Sequence, residues 1–272
     1  MTLTERHARA LSERDITPPV STVTPLALIV EVDGSMIPVV EIGKGSSEVP
    51  GKRKHRTLLW KEARLSLVRR PDEIEPSFDV TLGDVATTGA ALKRLAVAAG
   101  LKPCTSVHGV GDGAPWIAEQ IEVQFGAQGS YLIDFFHLCD YLSAAAQVCA
   151  PDQPGEWMRC QKERLKIGLL DAVMAELARH LEPETLASDQ APVRSGYRYI
   201  ANRPGQFKYP QALAANLPIG SGEVESAHRY DIQDRLKLAG AWWRPANAQA
   251  MLNLRALRAN HGWYRYWDTA AA

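Results

Sequence analysis

The chain has 272 residues and is 46% hydrophobic, enough to bury the core of one large domain or of one domain with an insertion, which excludes a disordered or low-complexity protein. Thirty-one Lys and Arg balance thirty-one Asp and Glu, so overall charge excludes a strongly basic polyanion binder and leaves any nucleic-acid contact to local patches. Cys104, Cys139, Cys149 and Cys160 show no CxxC pairing or zinc-spaced histidine, no apolar run reaches membrane-span length, and the polar start TERHARALSERD lacks the order of a signal peptide; a reducing cytoplasm is the expected setting.

Residues 1–25 end in the proline-punctuated TPPVSTVTP and read as a linker or arm. Leu26 to Val32, LALIVEV, is an apolar run of strand length that ends in Asp33-Gly34, with Met36 to Val40 a possible continuation of the extended path. The loop-like stretch from Gly43 to Arg56 carries Lys52, Arg53, Lys54, His55 and Arg56 in a row, a basic run that fits either a solvated loop or a phosphate contact. Trp60 to Val68 predicts a second strand. Asp84 to Ala99 predicts a helix capped by Asp84 and stopped at Gly100.

Thr105 to Val110 reads as a short strand followed by Asp112-Gly113, and Pro115 sits near the first turn of a helix that runs to Phe125. Ser130 to Phe136 predicts another apolar strand, and a helix follows from about His137 to Cys149, with Asp134 and His137 flanking its start. Glu156 to Leu181 predicts one long amphipathic helix within a helical insertion, and residues 182–216 are punctuated by prolines. After the Gly220-Ser221-Gly222 turn a helix is expected from Val224 to Leu238, and Pro245 to Asn260 predicts a last helix packed back on the core. The implied organisation is an arm (1–25), the first part of a core (26–136), a helical insertion (137–216) and core C-terminal helices (217–272).

The densest stretch is Leu217 to Trp243, LPIGSGEVESAHRYDIQDRLKLAGAWW. Two residues on a helix stand about 200° apart, so Glu223 and Glu225 point to nearly opposite sides and cannot both line one site. Taken alone, they are acids that complement a helix N-terminus, with Glu225 also spaced to pair Arg229.

The string as a whole resembles the C-terminal signature of bacterial insertion-sequence transposases of the ISKra4 type. The resemblance lies in Pro218-Ile219-Gly220-Ser221-Gly222, Val224-Glu225-Ser226, Arg235-Leu236-Lys237, and Gly240 followed by Trp243. Trp60-Lys61-Glu62-x-Arg64-Leu65 resembles that family's second strand, and Asp134-Phe135-Phe136-His137 its DFFH element. Tyr199-Ile200-x-Asn202-Arg203 and Tyr209-Pro210 match its approach to the Gly-Ser-Gly turn.

The resemblance implies an α/β, RNase H-like mixed sheet flanked by helices, with a helical insertion before the last acidic helix. It also implies a DDE transposase that cleaves and joins DNA strands. Asp33, Asp112 and Glu225 would be its catalytic and metal-holding acids, with Asp134 and His137 secondary residues near the site. Three gathered carboxylates repel one another unless divalent cations neutralise them, and hard oxygen ligands select Mg²⁺ or Mn²⁺.

Expected partners are DNA, as transposon ends and target, and further copies of the chain; no membrane is expected. Lys52, Arg53, Lys54, Arg56, Arg229, Arg235, Lys237 and Trp243 are the candidate DNA contacts. Family members usually carry a sizeable N-terminal region that contributes to DNA binding, so the resemblance implies either a truncated or split reading frame or recognition of transposon ends by another chain, such as a separate N-terminal transposase segment. The competing expectations are a remnant that binds DNA or a partner transposase without cutting, and a nuclease using the same acids. Singly, Asp33-Gly34 and Asp112-Gly113 are also good turn dipeptides, Asp134 a helix-entry residue, and Trp242-Trp243 either a surface that stacks on a flipped or terminal base or, more often for such a pair, core packing.

Overall fold

The computed structural model of the chain describes residues 6, 8, 11, 13–42 and 56–271. Its five strands are β1 (Ala27–Ile42), β2 (Arg56–Arg69), β3 (Ser77–Thr81), β4 (Ser106–Gly111) and β5 (Gly129–Ile133). They form one mixed sheet in the order β3-β2-β1-β4-β5, with β1–β2 and β2–β3 antiparallel and helices flanking the sheet. The expected α/β class is therefore present. Among the described residues, no helix is long and apolar enough to cross a membrane.

The chain divides into two compact units: 1–107 with 119–129 and 222–272, and 108–118 with 130–221. In the first unit, β1 is a single sixteen-residue strand, so Asp33 lies in its middle and not at its end as the sequence suggested. Asp33 pairs with Leu65 and Gly34 with Arg64 across β2, which removes the turn explanation for this dipeptide. Pairing along the whole of β2 carries the strand through Gly34 and Pro38, two residues that weaken a strand signal when read locally. Alternation then turns Glu31, Asp33, Ser35, Ile37 and Val39 to one face, where Ile37 and Val39 join Leu65, Leu67, Val224, Ile232 and Leu252 in the core.

Three further elements of this unit depart from the sequence expectation. Strand β3, only five residues long, carried too short a period to be predicted. Residues ascribed to an arm are part of the core: Ile16, at the end of α1 (Glu13–Ile16), is buried, and Ala8 and Leu11 pack with Ala250, Leu254 and Leu257. A closing aromatic helix, Trp263–Ala271, was not anticipated.

Helix α2 (Val85–Ala98) begins and ends where its signals stand. Asp84 accepts the Thr87 amide at 2.8 Å, and Gly100 takes φ +98° just past the end. Helix α3 (Pro115–Phe125) runs from the helix-entry proline to Phe125 as expected.

In the second unit, α4 (Phe135–Cys149) starts two residues earlier than expected, because Asp134 rather than His137 marks its entry. The single helix predicted over 156–181 is two, α5 (Pro154–Lys166) and α6 (Leu170–Ala178), parted at Gly168 with φ +84°. Periodicity survives such a break, so it was invisible to a pattern search. Residues 182–216 hold two more helices, α7 (Pro192–Ala201) and α8 (Tyr209–Ala214), each entered through a proline in its first turn. Leu138, Leu142, Leu165, Leu177, Val193 and Tyr209 centre this unit's core.

Gly100 and Gly155 provide opposite tests of this backbone. A Cβ at Gly100 would stand 2.1 Å from the Val23 carbonyl oxygen at positive φ, whereas nothing lies within 4 Å at Gly155 in α5. Gly100→Ala should destabilise by about 1–3 kcal/mol, while Gly155→Ala should be neutral or stabilising by up to about 1 kcal/mol, read by urea denaturation.

Candidate functional site

After the Gly-Ser-Gly turn, the first unit resumes with α9 (Gly222–Ala227), a π-helical turn (His228–Gln233) and the short α10 (Asp234–Leu236). The helix predicted over 224–238 is thus interrupted at its centre. This run lies along β1 through a ladder of polar contacts. Glu31 Oε2 accepts the Val224 amide at 2.9 Å, His228 Nε2 stands 3.4 Å from Asp33 Oδ2, and Gln233 Nε2 reaches Ser35 Oγ at 3.5 Å. The spacing has a geometric cause: two strand residues rise about 6.7 Å and one helical turn about 5.4 Å, so every second strand position meets a new turn. The extra residue of the π turn keeps Gln233 on the face of His228.

The acids of this unit have separate surroundings. Glu31, 1% exposed, supplies an acceptor to the first turn of α9, a role the sequence did not suggest because it depends on a strand far away in the chain. Glu223 is held in a two-pronged ion pair by Arg69, with N–O distances of 2.7 and 2.5 Å, and the Glu223 carboxylate raises the pKa of that guanidinium. Glu225 is exposed on α9. The two glutamates therefore differ as their spacing requires: one is tied into the sheet side and the other is presented to solvent.

Asp33 is about one-third exposed, and its Oδ1 accepts the Gly34 amide at 2.6 Å. Burial drives the neighbouring His228 imidazole down to about 4, against an opposing pull from the Asp33 backbone, so the ring is neutral at pH 7. His228 is 2% exposed, and neither ring nitrogen completes a hydrogen bond among the described residues; the 3.4 Å approach to Asp33 is a polar contact.

The second unit holds Asp112, Asp134 and His137. Asp112 follows β4 as an exposed turn residue and accepts the Ala114 amide at 2.8 Å. Its loop is clamped by three side chains: Tyr199 Oη donates to the Asp112 carbonyl at 2.7 Å, Arg203 Nε to the Gly113 carbonyl at 2.8 Å, and Tyr131 Oη accepts the Gly113 amide at 3.0 Å. Arg203 also lies over the Tyr199 ring, 4.0 Å from its centroid. Gly113 has φ +87°, and a Cβ there would meet Tyr199 Oη at 2.5 Å. Tyr131, Tyr199 and Arg203 were not singled out as site residues, although Tyr199 and Arg203 fall within a string that carried the resemblance.

Asp134 is 2% exposed and accepts four hydrogen bonds: from the Phe136 and His137 amides at 2.6 and 3.0 Å, and from the Ser221 amide and hydroxyl at 2.5 and 2.6 Å. Its surroundings are those of a helix cap that also grips the Gly-Ser-Gly turn. That turn is pinned further by His108 Nε2, 2.8 Å from the Pro218 carbonyl oxygen, and by the Phe135 amide donating to the Ile219 carbonyl at 2.8 Å. A Cβ at Gly220 would stand 2.8 Å from the Phe136 ring. The Asp134–His137 and Pro218–Ser221 strings are therefore one interlocked structure. His137 lies against Tyr141 and Tyr199, with centroids 5.7 and 5.8 Å away.

Among the candidate DNA contacts, Arg56, Arg235 and Trp243 line one cavity of about 470 Å³ in the first unit, together with Trp242, Arg244 and Asn247. Trp243 is half-buried against the core and carries the Arg235 guanidinium 5.2 Å from its ring centroid, whereas Trp242 is 54% exposed. Packing thus accounts for Trp243 and not for Trp242. Arg229 and Lys237 are exposed and do not line this cavity. Lys52, Arg53 and Lys54 lie outside the described residues.

Hard oxygen donors are present at Asp33 and Glu225 in the first unit and at Asp112 in the second. Among the described residues, no group of three His, Cys, Asp or Glu side chains is arranged to hold a metal ion. No protein-family model matches the chain, and no curated protein matches it.

Two measurements probe these surroundings. Asp134→Ala strands four donors and should cost roughly 2–4 kcal/mol in thermal denaturation, whereas Glu225→Ala, at an exposed position, should stay within about 0.5 kcal/mol. The folded-state pKa of His228 lies below its ordinary 6.5, so the unfolded chain takes up a proton first as pH falls. Stability should be full above about pH 6.5 and decline toward pH 4, by up to about 3 kcal/mol for this group. The difference between wild type and His228→Gln across that window isolates it.

Proposed function

We propose that the protein is a DDE transposase with an RNase H-like core, acting on DNA through Mg²⁺ or Mn²⁺ held by Asp33, Asp112 and Glu225. The observation that carries this reading is the ladder between β1 and the α9 run. It fastens the helix bearing Glu225 to the strand that carries Asp33, while Arg69 engages Glu223 and Glu225 lies at an exposed position of α9. Chain order lends further support: three antiparallel-paired strands, then helix, strand, helix, strand, with the remaining helices late.

Each side chain has a definable task. Asp33 is oriented by the Gly34 amide and by neutral His228, which adds no positive charge to compete with a cation. The Asp112 loop is immobilised by Tyr131, Tyr199 and Arg203. Asp134 serves the reaction through structure, by gripping Ser221 at the end of the turn that enters α9. Asp33, Asp112 and Glu225 would be the residues to hold divalent ions, which would supply activation of a water or 3′-hydroxyl and charge neutralisation at the leaving oxygen. The reading extends to DNA ends and target as substrates and to further copies of the chain as partners. A protein that binds DNA without cutting it is the second reading, favoured by the basic, aromatic cavity at Trp242 and Trp243.

Cleavage of a labelled duplex carrying the element's own ends, with Mg²⁺ present, tests the assignment. Asp33→Ala, Asp112→Ala and Glu225→Ala should each lower the rate by about a hundredfold or more, and Glu223→Ala should retain cleavage. A wild-type protein that binds the ends and never cuts them, even with a separate N-terminal transposase segment added, would leave the non-cleaving reading standing.

A further inference from the structure

The cavity at Trp242 has a composition that an ordinary surface groove lacks. Arg56, Arg235 and Arg244 line it, none of its described lining residues is acidic, and the exposed Trp242 is among them. Its volume of about 470 Å³ falls in the range of roughly 300–1,000 Å³ typical of sites that enclose a small aromatic ligand. The surrounding backbone is anchored: the Val40 amide donates to the Trp243 carbonyl at 2.7 Å, and Val39 and Trp243 form a parallel bridge. The segment bearing both tryptophans is thereby attached to β1, the strand that carries Asp33.

A second feature adds positive potential. Helix α11 (Pro245–Ala259) begins at this cavity, with Arg244 at its cap position and Asn247 in its first turn. It has no side-chain cap and no acid in that turn, so its positive end is not neutralised locally. Guanidinium groups and a helix N-terminus suit phosphate, and a tryptophan face suits a base of any identity.

We propose that this cavity receives an unpaired base of a DNA strand, stacked on Trp242, with Arg56, Arg235 and Arg244 neutralising the phosphates on either side. A paired base inside a duplex has no free face to offer, so the cavity selects a strand that is locally open. Val40 lies seven residues beyond Asp33 on β1, about 23 Å along the strand, which corresponds to about seven base-pair steps. The base held here is therefore distinct from the nucleotide at Asp33. The inference rests on the DNA-processing reading above, and it specifies the state of DNA that the protein recognises.

The test is fluorescence anisotropy in EDTA, which keeps binding separate from cleavage. The probes are a fully paired duplex, the same duplex with one unpaired base, the single strand, and an RNA of the same sequence. Wild type should bind the probe with an unpaired base about tenfold more tightly than the paired duplex. Trp242→Ala should abolish that preference, Trp242→Phe should retain part of it, and Gly155→Ala, in α5 and outside the cavity lining, should leave it intact.

Arg244→Ala should weaken both DNA probes alike and lower the slope of log affinity against log salt by about one. Circular dichroism of each variant checks that the fold is kept. Equal affinity for paired and unpaired DNA, or a preference that survives Trp242→Ala, overturns the inference while leaving the proposed function in place. RNA bound more tightly than DNA overturns the choice of strand, and failure to bind any of the DNA probes overturns both.

Discussion

A buried carboxylate on the central strand organises the first unit. Glu31 is 1% exposed, and a charge removed from water to that degree is costly unless hydrogen bonds replace its hydration. One of those bonds comes from the Val224 amide, in the first turn of α9, where backbone donors have no partner within the helix. The strand acid and the helix terminus thus meet each other's requirement, and the register of the whole α9 run on β1 follows. With Val224 placed over Glu31, His228 must fall over Asp33 and Gln233 over Ser35. The apolar rungs Val224, Ala227, Ile232 and Leu236 then close onto Ile37, Val39, Leu65 and Leu67.

The second unit uses the same economy of donors and acceptors around Asp134. One carboxylate caps α4 and grips Ser221, so the start of a helix and the turn some ninety residues later are a single hydrogen-bonded object. The motif glycines take their meaning from this. Gly220 lies where any side chain would run into Phe136, and Gly113 adopts a left-handed backbone where a side chain would meet Tyr199. A string that looked like a catalytic signature is, in large part, the scaffold that holds turns in place. Asp33, Asp112 and Glu225, the acids proposed for the chemistry, are partly or fully open to solvent.

Charge shows how a composition can conceal a local property. Thirty-one cationic side chains match thirty-one anionic ones, yet Arg56, Arg235 and Arg244 converge on one cavity with no acid among its described lining residues. They come from the start of β2, from α10 and from the cap of α11, three places with no sequence proximity. Arg69, by contrast, is consumed by Glu223 and has little capacity left for a phosphate. The difference between a binding cation and a structural one lies in its neighbours and not in its identity.

Local signals were legible wherever a few adjacent residues decide the outcome. Asp84 as a cap, Gly100 as a stop, the prolines that open helices, the apolar strands, and the opposed directions of Glu223 and Glu225 all follow from short-range geometry. Pairing and packing decided the rest, because they depend on partners far away in the chain. Partnership with β2 carried β1 through Gly34 and Pro38, which placed Asp33 at mid-strand, and an extra residue in the π turn kept Gln233 facing that strand. Glu31, Tyr131 and Trp242 acquired their places from contacts that no sequence period encodes. The sequence by itself marked the helix and strand segments whose signals lie in adjacent residues; tertiary structure decided which acids became buried anchors, since burial is a property of the assembled surfaces.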